Sequence, residues 1–200
     1  MLVSSIIAVC ALPLAFAAPF CTRQNSTTNA TTTCDLGRVS QPANTLTPPS
    51  SGLRLVLIAH GQGTQNYTCA TPTSLPSAIG AVAELFNASC EVANPNEAQN
   101  NRVQGATIGN HFFADLTTPD FEIPGLGNTK TKKVEEVAAP NPGADIKWLR
   151  LQAQASDSTS QVKYIYRLKT VGGLAPTSCE GRAEGEVVTV QYEAQYWIYA

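Results

Sequence analysis

Apolar residues alternate with polar ones along several runs of this chain, and each run stops at a cluster of glycine or proline. The clearest are Leu53 to Ala59, Lys147 to Ala153 (KWLRLQA), Val162 to Thr170 (VKYIYRLKT) and Val187 to Ala200 (VVTVQYEAQYWIYA), with Val103 to Leu116 and Lys130 to Ala138 weaker. A period of two sends successive side chains to opposite faces of a strand, so in KWLRLQA Trp148 faces away from Lys147 and Leu149. The breakers are Pro119, Pro124, Gly125 and Gly127, then Pro140, Pro142 and Gly143, then Gly172, Gly173 and Pro176. Short strands joined by such turns predict an all-β fold, an antiparallel β-sandwich or barrel.

One segment allows a second reading. In PSAIGAVAELFNAS, Ile79, Val82, Ala83 and Phe86 fall at i, i+3, i+4 and i+7 behind Pro76, which is a helix signature, although Gly80 and the short length count against it. Strand and helix both stay open there, so the fold has room for one short helix. No internal repeat is visible, and the aromatic run with Tyr192, Tyr196, Trp197 and Tyr199 reads as a core strand closing the sheet, with an aromatic sugar platform as the alternative.

The first seventeen residues are apolar from Leu2 to Phe16 and end small-x-small at Ala15, Phe16 and Ala17, which reads as a secretory signal peptide over residues 1–17. That run is too short to span a membrane, no later one approaches the roughly 20 apolar residues required, and the carboxyl end lacks the tail of a glycolipid anchor. A secreted, extracellular protein is expected. Residues 18–52 are rich in Ser, Thr, Asn and Pro and read as an extended N-terminal arm. Residues 53–200 then form a single β-rich domain, long enough for a core.

Cleavage after Ala17 would remove Cys10 and leave Cys21, Cys34, Cys69, Cys90 and Cys179. Export makes these disulfide candidates rather than metal ligands, since no paired CxxC spacing occurs. Five is odd, so two bonds leave one thiol or an intermolecular link. Cys21 and Cys34 bracket one polar segment and are expected to pair, with the second bond drawn from Cys69, Cys90 and Cys179. Sequons at Asn25, Asn29, Asn66 and Asn87 fit a glycoprotein. The formal net charge is only −2 and the one basic cluster, Lys130, Lys132 and Lys133, runs straight into Glu135 and Glu136. That favours a solvated strand face and no nucleic-acid partner.

Six stretches resemble, in order, a domain family of unknown function found in secreted fungal proteins and in bacteria. They are GTQNYTCA (63–70), AVAELF (81–86), GNHFF (109–113), IKWLRLQA (146–153), YRLKTVGGLAPTSC (166–179) and YEAQYWIYA (192–200). Gly109, Asn110, His111 and Phe112 match the family's Gly-x-His-Tyr-like turn, whereas Ala114 to Pro119 departs from the Gly-Pro-Thr-Trp-like stretch that follows it. Many fungal members carry the label malate dehydrogenase, so the resemblance implies a test of LVLIAHGQGTQNYTCA as a dinucleotide loop. Gly61 and Gly63 supply the start of GxGxxG and Glu84 a distant acid, but the sixth position is Asn66 and Pro72 follows where a helix should open. None of Arg54, Arg102, Arg150, Arg167 and Arg182 sits in a recognisable substrate motif, and strands do not alternate with helices. A dehydrogenase is therefore disfavoured, and the two glycines are expected to make a hairpin turn.

The remaining chemistry is thin. His60 and His111, with Asp115, Asp120 or Glu122 as a third ligand, would suit copper, zinc or another divalent metal, although HxH and HExxH spacings are missing. A copper centre built on an amino-terminal histidine is not expected, because the mature chain would begin at Ala18. There is no GxSxG elbow. Carboxylate pairs for glycoside hydrolysis would come from Asp115, Asp120, Glu122, Glu135 and Glu136, whose separation sequence does not set. Two classes result: a secreted non-catalytic β-domain that binds an extracellular glycan or protein, with no cofactor expected, or a metal-dependent or hydrolytic enzyme built on His111 and nearby acids. The first is preferred, and the oligomeric state is left open.

Overall fold

The computed structural model describes residues 34–95 and 105–200. The expected signal peptide, Cys21, Asn25 and Asn29 lie outside these residues. Eight antiparallel strands follow one another around a closed barrel: β1 (Leu55–Thr68), β2 (Ser77–Asn87), β3 (Gly109–Phe113), β4 (Pro119–Ile123), β5 (Gly127–Val137), β6 (Trp148–Ala153), β7 (Tyr164–Gly172) and β8 (Val187–Tyr199). Each strand pairs with its neighbour in sequence, and β8 closes the ring by pairing with β1 from Leu55↔Tyr199 to Thr68↔Val187. Of the sandwich and the barrel, the chain forms the barrel. Closure removes both sheet edges.

The short helix α1 (Ser89–Ala93) stands just after the segment that allowed two readings. The segment itself is strand β2, and Ala81, Ala83 and Leu85 face inward at period two. The helical spacing mixes both faces of the strand, Ala83 inward with Val82 and Phe86 outward, and adds Ile79 from a bulge. Asn66 pairs with Gly80 and Tyr67 with Ala78, so Ile79 is skipped and the phase of the apolar positions shifts. Gly80, at φ 124°, takes a conformation open to glycine alone.

Gly61 and Gly63 do not turn the chain. They lie inside β1 with neighbours closing in on the space their missing side chains leave. A Cβ on Gly63 would stand 1.9 Å from the Val82 carbonyl oxygen and one on Gly61 2.6 Å from the Tyr196 ring. The glycines are there for close approach rather than for positive φ.

The alternation separates two cores. Leu57, Ala59, Leu85, Phe121, Ile165 and Tyr196 fill the lumen. The opposite faces of β6, β7, β8 and β1 carry Trp148, Tyr166, Leu168, Trp197, Tyr199 and Ile58, which are also buried. What buries them is the segment expected to be an arm. Residues 34–52 lie across this outer face as a strap: Leu46 is 5% exposed, and Leu36 and Val39 pack against the same cluster. Composition alone hid this because three well-placed aliphatic residues suffice to seat a polar segment on a ready-made aromatic surface. Thr47 fixes the strap further, its N–H donating to Glu135 Oε2 at 2.7 Å and its carbonyl accepting from the Tyr166 hydroxyl at 2.8 Å. Gln41 Nε2 donates to the Tyr199 hydroxyl at 3.1 Å.

Cys34 is bonded to Cys90 on α1, so its expected pairing with Cys21 is corrected. The strap brings Cys34 back over the barrel, to within 5.1 Å of Cys90 between Cα atoms. The second bond, Cys69–Cys179, is one of the expected combinations and ties the end of β1 to the loop between β7 and β8.

Candidate functional site

The two histidines occupy opposite faces of the barrel wall. His60 points outward from β1, its Nε2 3.3 Å from the exposed carboxylate of Glu193. His111 points inward from β3 and is 2% exposed. Its ring stacks on Phe121 at 4.2 Å between centroids and 10° between planes, with Tyr196 5.4 Å away. The pair therefore shares no ion, and no group of three potential ligands forms among the described residues. Asp120 does reach His111, but with its backbone carbonyl, 2.9 Å from Nδ1. Burial, helped by the charge of Arg167, lowers the His111 pKa to about 4, so the imidazole is neutral at physiological pH.

The acids are likewise dispersed. Asp115 caps the β3–β4 turn, accepting from the N–H and hydroxyl groups of Thr117 and Thr118, bonds that bring its carboxyl down to about 2. Asp120 is buried and accepts from Asn128 Nδ2 at 2.6 Å. Glu135 pairs with Arg150 at 2.8 Å, and Glu136 is held by Lys133 and Lys147, which lower its carboxyl to about 2. In the Lys-rich stretch Lys133 is ion-paired and Lys132 is exposed, which fits the solvated strand face its sequence implied.

The aromatic run of β8 offers no sugar platform. Tyr192, Tyr196 and Trp197 are at most 2% exposed. Asn87 stands exposed at the end of β2, its Oδ1 accepting from the Ser89 N–H, whereas Asn66 is half-buried with Oδ1 enclosed and unpartnered.

A row that sequence reading missed is set by strand register. Glu193 pairs with Gln62, Gln62 with Glu84, Glu84 with Asn110, Asn110 with Glu122 and Glu122 with Asn128. Carboxylate and amide alternate across six neighbouring strands, and all but the half-buried Asn128 are exposed. At about 4.8 Å between strands the row is roughly 24 Å long. Its β3–β4–β5 end opens into a groove of about 510 Å³, with Asn110, Glu122 and Asn128 as polar walls and Ile108, Ile123 and Pro124 as apolar ones. Gly109 brings the strands close here: a Cβ would meet the Glu122 carbonyl oxygen at 2.3 Å. No signal in the linear sequence marks the row, because its members lie on six separate strands.

An apolar lumen and a charged outer wall are the reverse of a lipid-facing barrel, and no helix among the described residues is long and apolar enough to cross a membrane. Together with two disulfides, these features define a closed β-barrel of an oxidising compartment with its polar groups displayed on strand faces. The chain belongs to the family described as "Protein of unknown function (DUF3455)", whose model matches residues 49–200. No curated protein and no solved structure matches the chain.

Proposed function

We propose that this protein is a secreted, non-catalytic binding module whose ligand is a neutral extracellular glycan, held in the groove on β3, β4 and β5. The observation that carries the reading is the Asn110–Glu122–Asn128 row. Amides both donate and accept and carboxylates accept, which suits neighbouring sugar hydroxyls that do both. No cation stands in the row, so an anionic polymer finds no attraction there. The apolar walls supply contact for the C–H faces of a pyranose. Secretion is supported by the disulfides and by the leader-like first seventeen residues, and Asn87 is the described sequon best placed to carry a glycan of its own. The enzyme alternative built on His111 is less favoured because that ring is buried and neutral, and Asp120 meets it through its backbone carbonyl rather than its carboxylate.

The test is calorimetric titration of the mature protein with neutral cell-wall oligosaccharides, glucan, mannan and chitin fragments, beside Asn110→Ala, Glu122→Ala and Asn128→Ala. Saturable binding weakened at least tenfold by each substitution is expected. Absence of binding to all three classes, or binding indifferent to the row, would overturn the reading.

A further inference from the structure

Arg167 is the one strand arginine whose side chain enters the lumen. Its register partners, Leu149 and Tyr196, both belong to the inner core, while its neighbours Tyr166 and Leu168 pack under the strap. Nη2 donates to the Lys147 carbonyl at 3.0 Å, at the end of the barrel where the Tyr67 hydroxyl donates to Gly173 O at 2.6 Å. The guanidinium also hydrogen-bonds the Tyr196 hydroxyl, while the Nε–H is buried and lacks an acceptor of good geometry. Five ion pairs occur among the described residues and none includes Arg167.

A guanidinium partly withdrawn from water is commonly matched by a carboxylate, since an uncompensated charge away from solvent is costly. Here the groups that feel its charge are neutral ones: Tyr67, Tyr192, Tyr196 and the His111 imidazole. Burial raises the pKa of each of the three phenols, which keeps their O–H groups as donors. The Tyr192 and Tyr196 hydroxyls are 2.8 Å apart. One donates to the other, which leaves the second proton of the pair uncommitted. The cluster thus combines a fixed cation, an idle buried N–H and a spare hydroxyl proton, all donors and none matched by an anion of the chain.

We propose that Arg167, with the Tyr192–Tyr196 hydroxyl pair, binds the carboxylate group of a small ligand at the Lys147–Gly173 end of the barrel. A planar carboxylate suits a guanidinium edge, on which its two oxygens accept parallel N–H bonds. A single positive charge among phenols matches a monoanion better than a phosphate dianion. Arg167 is only half-buried, so the site is open at this end. This site is separate from the glycan groove, which lies on the outer wall.

The full mature chain, isotope-labelled, is titrated with acetate and succinate at fixed ionic strength, with chloride and inorganic phosphate as controls, while the Arg167 Nε–H resonance and the thermal midpoint are followed. Both carboxylates should move the resonance downfield and raise the midpoint to saturation, with Arg167→Gln losing the midpoint response and Glu122→Ala keeping it. An unmoved resonance, or an equal response to chloride or phosphate, would overturn the proposal. If Arg167→Gln does not fold, the wild-type resonance decides alone.

Discussion

The ring of Tyr196 stands where a side chain at position 61 would otherwise be, with its Cε2 2.6 Å from the place of a Cβ on Gly61. Tyr196 is fully buried and touches both Phe121 and His111, so it has little freedom to retreat. Gly61→Ala should therefore cost about 1–3 kcal/mol, the range for overpacking a core. Gly63→Ala should cost more, because there the obstacle is the Val82 backbone rather than a side chain. Urea unfolding of the two variants gives the order directly.

The same glycines show what could be read in advance and what could not. Alternation located β1, β6, β7 and β8 because each exposes its period in a single run. It missed β4, a five-residue strand whose Pro119 looked like a breaker and in fact begins the strand. Two glycines two apart look alike in a turn and in a crowded strand, and only the partner strand tells them apart. The strap was invisible for a related reason: what orders residues 34–52 is a surface made from β6, β7 and β8, more than a hundred residues later in the chain for most of its members. Of the candidate site, the sequence marks His111 only as a candidate metal ligand or enzyme residue, whereas the polar row is a product of register and Arg167 of strand parity.

His111 sets the acid limit near neutrality. Its pKa is about 4 when folded and 6.5 as a free side chain, so the unfolded chain binds the proton first as pH falls. Stability is full above about 6.5 and is lost progressively toward 4. Between pH 7 and pH 5 the loss should be about 2 kcal/mol. His111→Phe should flatten this slope, measured as the change in urea midpoint across that interval.

Glu135 controls a second, lower window. Its carboxyl lies below the usual range because it accepts from the Thr47 N–H and faces Arg150. A depressed carboxyl stabilises above its unfolded value of 4.5 and that contribution fades as pH falls further. Protonation should loosen the strap at Thr47. Because the only two tryptophans, Trp148 and Trp197, are both buried in the strap-covered core, acrylamide quenching of fluorescence should rise below pH 4.5. Glu135→Gln should show raised quenching already at pH 7.

Removal of the strap's covalent tether has a definite scale. Cys34–Cys90 closes a segment of 56 residues. In the chain-entropy model this is worth about 4 kcal/mol. Cys34→Ser with Cys90→Ser should lower stability by about that amount and raise tryptophan quenching, whereas Tyr166→Phe, which removes the bond to the Thr47 carbonyl and the one from Arg150 Nε, should cost about 2 kcal/mol. Equal effects of the two would mean that the strap is held by its packing and not by the tether.

The pairing of β8 with both β1 and β7 bears on the order of assembly. A nascent chain presents β1 long before the strand that will complete it. Until β8 arrives, β1 and β7 are open edges able to recruit strands from other chains, and the strap has no Trp197 or Tyr199 to lie against. The contacts that finish the molecule are among its most distant in sequence, which places it with slow-folding topologies. Until the thirteen residues of β8 are in place, therefore, the fold itself gives the edges of β1 and β7 no protection against aggregation.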